Sequence, residues 1–219
     1  MKFFLDTANI DEIKEAQETG LLDGITTNPS HVAKANKPFI DLIKDICQVT
    51  NGPVSAEVTA DEVELMLKQA HTLADIAPNV VVKIPLVQDG LKAVNKLSQE
   101  GIKTNVTLCF SSVQALLAAK AGATYISPFI GRVDDIGGEG MATIREIRRI
   151  YDNYNFSTQI LTASVRSSLH VRDAAMAGSD CITMPYTVFA KLVRNPLTDL
   201  GLKSFNDDWG KVPDELKGI

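Results

Sequence analysis

The chain has 219 residues, of which 45% are hydrophobic, and it carries a formal net charge of -5. This acidic balance excludes binding of nucleic acid through a basic stripe. No stretch approaches the roughly 18 apolar residues of a membrane-spanning helix, and the N-terminus lacks the apolar core of a secretion signal. No linker divides the composition, so we expect one domain over residues 1–219. The three cysteines (Cys47, Cys109 and Cys181) are widely spaced, which indicates reduced thiols in the cytoplasm.

Eight short apolar runs alternate with longer amphipathic stretches along the chain. The runs predict β-strands at residues 2–6, 24–27, 54–58, 80–85, 102–108, 125–129, 159–164 and 181–185. Helical spacing of apolar residues is clearest at 61–75, 113–122 and 140–154. Strands and helices that alternate in units of about 25 residues predict parallel pairing, and eight such units match a (β/α)8 barrel, the TIM barrel of α/β proteins.

The alternative fold is an open, doubly wound sheet. That fold usually has a glycine-rich first turn, whereas the first turn here is "DTANIDE" (6–12) and contains no glycine. We therefore predict the barrel. The C-terminal tail, residues 195–219, is longer than one closing helix requires and includes the only tryptophan, Trp209. We expect an extra C-terminal helix there, placed to contact a neighbouring subunit.

Polar residues cluster where the predicted strands end. In a barrel of this type the active site lies at the C-terminal ends of the strands. Buried polar groups cost free energy unless they are hydrogen-bonded, so we expect these side chains to bond with one another or with a ligand. They are Asp6, Thr26, Thr27, Asn28, Glu57, Thr59, Lys83, Asn105, Thr107, Ser127, Thr162 and Ser164, with Arg132 and Arg166 just beyond their strands.

Lys83 stands inside the apolar strand "VVVKIP" (80–85). A strand this apolar is normally buried on both faces, and lysine is rarely buried. Burial of an amine favours its neutral form, which attacks carbonyl carbon and forms a Schiff base. The protonated imine weakens an adjacent C–C bond, and Asp6 and Glu57 are placed to move the protons. The structural alternatives are a salt bridge between Glu57 and Lys83, and helix capping by Asp6 or Thr27.

Two arginines follow strands in the second half of the barrel. The guanidinium groups of Arg132 and Arg166 match phosphate oxygens, and Ser164 adds a hydroxyl donor. With a buried lysine they indicate a phosphorylated carbonyl substrate; the alternative is that both arginines are only solvated. The three histidines have no ligand-like spacing, so no metal is expected. Residues 134–140 lack the spacing of a calcium loop and are predicted to form a flexible loop at the barrel mouth.

Motifs along nearly the whole chain carry a family resemblance. They are "FLDTAN" (4–9), "GITTNPS" (24–30), "SAEV" (55–58), "VVVKIP" (80–85), "GIKTNVTLCFS" (101–111), "ISPFIGR" (126–132), "ASVR" (163–166) and "NPLTDLGLKSF" (195–205). In this order they resemble the transaldolase family, in particular its short-chain members, which include the fructose-6-phosphate aldolases. The fold that the resemblance implies is a (β/α)8 barrel, in agreement with the number of predicted strands.

The resemblance also implies a mechanism. A dihydroxyacetone unit would move between sugar phosphates of the pentose phosphate pathway through a Schiff base on Lys83, with no metal or organic cofactor. Homo-oligomers are implied as well, as rings of five that often pair into ten. The residues implied are Asp6 and Glu57 for proton transfer, Thr107 for a catalytic water, Asn28, Asn105 and Ser127 for substrate hydroxyls, and Arg132, Ser164 and Arg166 for phosphate.

Two positions separate the branches of this family. Glu57 and Phe129 resemble the transaldolases, whereas glutamine and tyrosine are usual in the aldolase branch. We therefore expect a transferase that takes the unit from sedoheptulose 7-phosphate or fructose 6-phosphate to glyceraldehyde 3-phosphate or erythrose 4-phosphate. The alternatives are a lyase that releases dihydroxyacetone and a non-catalytic barrel that binds a sugar phosphate. Asn195 replaces the histidine often found before "PLTD", which concerns C-terminal packing more than chemistry.

Overall fold

Eight parallel strands close into a barrel in chain order in the computed structural model, which describes residues 1–218. The predicted (β/α)8 fold is therefore confirmed. The strands are β1 (Lys2–Asp6), β2 (Gly24–Thr26), β3 (Val54–Glu57), β4 (Val80–Pro85), β5 (Thr104–Cys109), β6 (Tyr125–Pro128), β7 (Gln159–Thr162) and β8 (Cys181–Met184).

Helices follow the strands and pack around the barrel. Several begin at a polar side chain that accepts a hydrogen bond from the first turn, as Asn9, Ser111 and Ser167 do. The helices are α1 (Ile10–Glu18), α2 (Pro29–Ala35), α3 (Phe39–Val49), α4 (Val63–Ala74), α5 (Gln88–Gln99), α6 (Ser112–Lys120), α7 (Ile130–Asp135), α8 (Gly140–Tyr154), α9 (Ser168–Met176), α10 (Tyr186–Phe189), α11 (Pro196–Trp209) and α12 (Asp214–Lys217).

The predicted strand bounds differ from the structure by one or two residues in six of the eight strands, and two segments differ for an identifiable reason. The stretch 134–140 was expected to be a loop, but its first two residues complete α7 and its last residue begins α8. Asp134 accepts a hydrogen bond from the Gly140 backbone N–H at 2.8 Å, which joins the two helices across a short turn. The seventh strand ends at Thr162 rather than at residue 164, because Ser164 adopts a left-handed conformation with φ of 61° that no strand accommodates.

The register of the central strands aligns the polar residues. Glu57 pairs with Lys83 across β3 and β4, and Lys83 pairs with Asn105 across β4 and β5. Because strand side chains alternate between faces, residues two positions earlier face the same side. Val81, below Lys83, accordingly belongs to a buried apolar cluster with Phe4, Tyr125, Leu161 and Cys181. The barrel interior thus has an apolar layer beneath a polar one.

The C-terminal tail forms the predicted extra helix. In α11 every residue except Gly201 is exposed in this protomer. The exposed side chains include large apolar ones, namely Leu197, Leu200, Leu202, Phe205 and Trp209. No helix among residues 1–218 is long and apolar enough to cross a membrane.

Candidate active site

A pocket of about 360 Å³ opens where the strands end, above the polar layer. It contains nearly all of the side chains that sequence reasoning selected for the site. Those that line it are Asp6, Asn28, Glu57, Lys83, Thr107, Ser127, Phe129, Arg132, Ser164 and Arg166. Asn105 is fully buried and lies beneath the pocket, outside its lining.

Lys83 forms the floor of the pocket and is only 5% exposed. Its Nζ lies 2.9 Å from Glu57 Oε2, and it donates a hydrogen bond of 3.0 Å to the Thr27 carbonyl oxygen. Two strands and the end of a third therefore hold one amine in a single position. A buried ion pair of this kind adds little net stability. Its position at the base of a pocket therefore favours a catalytic role over a structural one.

Polar side chains beside Lys83 are linked into a network. Asn105 donates to Ser55 Oγ at 3.1 Å and accepts from Ser127 Oγ at 2.7 Å. Ser127 reaches the pocket, so Asn105 supports it from behind. Thr107 differs: its buried hydroxyl has no hydrogen-bond partner among residues 1–218, although it lines the pocket. Unpaired buried hydroxyls are uncommon, and this one is free to bond with a molecule in the pocket.

Asp6 is held at both carboxylate oxygens. Oδ1 accepts from the Thr26 hydroxyl at 3.0 Å and from the Asn28 amide at 3.4 Å. Oδ2 lies 3.5 Å from His31 Nε2, which is an ion-pair distance longer than an ordinary hydrogen bond. The Asp6 side chain is 30% exposed, and its partial enclosure by itself would raise its pKa, but His31, by its polar contact and its charge, and then Lys83 lower this pKa below its ordinary value. Asp6 is therefore ionised at neutral pH.

The opposite wall carries the two arginines. The Arg132 guanidinium lies 5.1 Å from the centre of the Phe129 ring, and Phe129 packs edge-on against Phe110 at 5.9 Å. Arg166 pairs with Asp135 at 2.9 Å, with both side chains more than half exposed. The predicted arginines are thus at the pocket rim, but one of them already has an acidic partner.

Sequence reasoning assigned no role to several residues of this pocket, and three of them make contacts or adopt conformations that matter for the site. Thr183, at the end of β8, lines it and shares a short hydrogen bond with Thr26; a search of the eighth strand end would have found it. Leu108 enters the pocket because it has φ of 59° at a register shift between β5 and β6. His31 enters from the first turn of α2, where its imidazole lies 3.5 Å from Asp6 of β1, a contact that no local pattern in the sequence reveals.

A barrel with this polar mouth belongs to the (β/α)8 enzymes. A family model described as Transaldolase/Fructose-6-phosphate aldolase matches residues 3–216. The chain belongs to this family.

Close relatives cover the chain almost completely. A protein from Leptospira biflexa is 58% identical over 212 residues, which are 97% of this chain and 99% of the relative. One from Thermodesulfovibrio yellowstonii is 57% identical over the same shares, and one from Aquifex aeolicus is 54% identical over 98% of this chain and 99% of its own. Each of the three is named "Probable transaldolase".

One solved structure is similar in fold alone. Inosine 5' monophosphate dehydrogenase from Legionella pneumophila superimposes with a TM-score of 0.61 at 14% identity. The match covers 86% of this chain and 58% of that protein. It is a second indication of the barrel and says nothing about the reaction.

Proposed function

We propose that this protein is a transaldolase that transfers a dihydroxyacetone unit between sugar phosphates through a Schiff base on Lys83. The observation that carries the proposal is the amine of Lys83, which is only 5% exposed at the floor of the pocket and lies 2.9 Å from the Glu57 carboxylate. Membership of the family and the names of the relatives support it. The donors are fructose 6-phosphate and sedoheptulose 7-phosphate, and the acceptors are erythrose 4-phosphate and glyceraldehyde 3-phosphate.

The reaction begins with addition of the amine to the ketose. The Lys83 nitrogen bonds to C2 of the substrate, the carbonyl oxygen is protonated, and water leaves to give the protonated imine. Starting from the Lys83 ammonium paired with Glu57, the nitrogen gives up two protons and keeps one. Glu57 takes the first and returns it to the departing oxygen, and the second passes from the nitrogen to the same oxygen, which therefore leaves as water. The unpaired hydroxyl of Thr107 is available to hold that water.

Asp6 is the proposed base for C–C cleavage. As an ionised carboxylate it takes the proton of the C4 hydroxyl, the C3–C4 bond breaks, and its electron pair moves to the imine nitrogen. An aldose phosphate leaves, and an enamine of dihydroxyacetone remains on Lys83. The enamine carbon then attacks the acceptor aldehyde, whose oxygen receives the proton from Asp6, and hydrolysis frees the new ketose. Every step is carbonyl addition or proton transfer, so the scheme calls on no metal or organic cofactor.

Substrate binding is divided between two regions of the pocket. The hydroxyls of the three-carbon unit contact Asn28 and Ser127, with Asn105 completing this set from behind Ser127. The phosphate is placed at the rim. An exposed ion pair such as Arg166–Asp135 is weak, so a phosphate dianion can take the arginine from its partner. The phosphate-binding residues are Arg132, Ser164 and Arg166.

Gly131 permits the close approach that builds the phosphate side. A Cβ at this position would overlap the Ser164 carbonyl oxygen and lie 2.8 Å from Arg166 Nε. We therefore expect Gly131→Ala to push α7 away from the segment that carries Ser164 and Arg166. Loss of one charge-assisted contact corresponds to about a tenfold rise in KM for phosphorylated substrates, which steady-state kinetics would measure.

The control for this substitution is Gly210→Ala, because Gly210 caps α11 with a right-handed φ of -61° and a Cβ there meets only carbonyl oxygens at 3.4 and 3.5 Å. It should leave KM unchanged. An unchanged KM in Gly131→Ala would remove this segment from the phosphate site, whereas equal loss of activity in both variants would indicate that the assay reports folding alone.

Product analysis tests the function as a whole. Fructose 6-phosphate and erythrose 4-phosphate supplied together should yield sedoheptulose 7-phosphate and glyceraldehyde 3-phosphate. The lyase alternative instead yields free dihydroxyacetone, and a non-catalytic sugar-phosphate-binding barrel yields no product. The names of the relatives do not favour the lyase.

We further propose that the protein is a homo-oligomer, as a pentamer or decamer, and that α11 contributes to the contact. Leu197, Phe205 and Trp209 recur at helical spacing along α11 and are 75%, 73% and 46% exposed. An apolar stripe of this length is costly in water. We expect light scattering to give a mass several times 23.7 kDa, and Phe205→Glu to lower it.

Lys203→Ala is the matched control for the assembly test, since Lys203 is an exposed residue of the same helix whose partner Asp207 belongs to α11 itself. It should leave the mass unchanged. A monomeric mass for the unaltered chain at micromolar concentration would refute the proposed assembly.

We also propose that the protein is located in the cytoplasm. Its three cysteines are free thiols, and disulfides are rare in that compartment.

A further inference from the structure

His31 stands where two cavities meet. Asp6 and His31 both line the active-site pocket, and both line a second cavity of about 590 Å³ on the outer side of β1. The imidazole is about one quarter exposed, and its Nε2 faces Asp6 Oδ2 at 3.5 Å. Among residues 1–218 no other side chain is within hydrogen-bond or ion-pair distance of Oδ2, while Oδ1 is held by Thr26 and Asn28.

The position of His31 comes from the start of α2. Asn28 caps this helix by accepting a hydrogen bond from the His31 backbone N–H at 3.1 Å. That contact uses the backbone, so replacement of the imidazole leaves the cap in place. The side chain is therefore separable from the fold of the helix, and its contact with Asp6 can be tested alone.

Other ionisable groups surround the pair. The Lys83 charge acts on Asp6 in the same direction as His31. Around the second cavity the acidic and basic side chains nearly balance, and Lys37 is already paired with Asp45. The ionisable groups that line the two cavities with the pair are Glu12 of α1, Lys34 of α2, Lys37 after α2, Asp45 of α3, Glu57 of β3, Lys83 of β4, Arg132 of α7, Arg166 after β7 and Tyr186 of α10.

We propose that His31 is a positioning residue for the transferase: it holds Asp6 Oδ2 and keeps this carboxylate ionised, so that Asp6 still accepts a proton from substrate at acid pH. The inference rests on the proposed function. Its physical basis is opposition between two effects on Asp6. Enclosure in the pocket favours the neutral acid, whereas a cationic imidazole at ion-pair distance favours the carboxylate.

The test compares His31→Leu with the unaltered enzyme across pH. Without His31 the enclosure of Asp6 raises its pKa, and the acid limb of the kcat profile moves to higher pH. We expect the fractional loss of kcat to grow as pH falls, reaching roughly severalfold at about pH 5 and staying below about twofold at about pH 8, because only the ionised carboxylate acts as the base. KM for the phosphorylated substrates should not change, since their phosphates bind at the opposite wall.

Two further variants separate this role from a structural one. His31→Asn retains a polar group without the charge, so its acid limb should lie between those of the other two enzymes. His71→Leu removes a histidine that pairs with Glu100 at 2.6 Å far from the pocket, and its profile should match that of the unaltered enzyme. If His31→Leu does not fold, His31→Asn alone decides the matter by its acid limb.

An equal fractional loss at both pH values, or no loss, would overturn the role of His31. Failure of the proposed function would look different. In that case the unaltered enzyme would transfer no three-carbon unit, and borohydride would trap no adduct on Lys83. The His31 variants should still form that adduct at about pH 8, because Lys83 and Glu57 are unaltered.

Discussion

Replacement of Lys83 by methionine is expected to abolish transfer. Methionine approximates the length of lysine and lacks the amine, so no Schiff base forms. Loss of a covalent nucleophile removes the whole pathway rather than one contact, and we expect at least about a 10⁴-fold fall in kcat. The measurement is sedoheptulose 7-phosphate formed from fructose 6-phosphate and erythrose 4-phosphate.

The fold of the Lys83→Met variant must be checked separately. Its barrel should persist, but Glu57, whose side chain is only 14% exposed, would lose its ionic partner. An unpaired buried group costs about 1–3 kcal/mol, so the variant should unfold at a lower temperature with an unchanged far-UV circular dichroism spectrum. Adding Glu57→Gln removes the unpaired charge and should recover part of this loss of stability without recovering activity.

Trapping with borohydride tests directly for the Schiff base on Lys83. Reduction in the presence of fructose 6-phosphate should fix a three-carbon adduct, and peptide mapping should locate it on Lys83. Lys103→Met is the control, because Lys103 is exposed just before β5 at the opposite end of the barrel. Lys103→Met should transfer normally and still be trapped. An adduct on any lysine other than Lys83 would contradict the proposed mechanism, and so would activity that persists in Lys83→Met.

Consumption of fructose 6-phosphate should depend strongly on an acceptor. After cleavage the enamine either attacks an aldehyde or is protonated and hydrolysed, and only hydrolysis releases dihydroxyacetone. Phe129 has no hydroxyl to deliver that proton, and its ring is enclosed between Phe110 and the Arg132 guanidinium. A well-placed proton donor contributes about 10²–10⁴-fold. We therefore expect release to be at least about 100-fold slower than transfer.

Phe129→Tyr tests the physical reason. Because Phe129 lines the pocket, the added hydroxyl supplies a proton donor there, and release of free dihydroxyacetone should rise by about tenfold or more. Addition of Glu57→Gln should raise it further. Phe110→Tyr is a matched control that adds a hydroxyl to the neighbouring ring, which is partly exposed and does not line the pocket. If the unaltered enzyme releases dihydroxyacetone as fast as it transfers the three-carbon unit, the protein is a lyase and the proposed transferase function is wrong.

The barrel was predictable because its evidence is local. Each strand and helix is encoded by the spacing of apolar residues within a few turns of chain, and the order of elements then permits few topologies. The segment 134–140 shows the limit of this reasoning at element boundaries. Residues 136–139 form the predicted loop, whereas Asp134 and Asp135 end α7, Gly140 begins α8, and Asp134 accepts a hydrogen bond from the Gly140 N–H.

The positions of most candidate site residues were also predictable from the sequence. A lysine within an apolar strand and a carboxylate in the next strand each require a partner of opposite charge. Neighbouring parallel strands bring these two side chains together. The register placed Glu57 opposite Lys83 as a consequence. Strand position alone could not distinguish Asn105, which lies under the pocket, from Ser127, which enters it, because both face the barrel interior.

The sequence by itself determined the eight repeated units, the polar layer at their C-terminal ends and the apolar strand that encloses Lys83. These properties follow from periodicity, which each segment carries alone. Only the tertiary structure decided that His31 meets Asp6, that Asp135 holds Arg166 and that Leu108 turns into the pocket. Such contacts join segments whose separation depends on helix docking and on backbone angles at single residues, and a shift of one or two ångströms makes or breaks an ion pair.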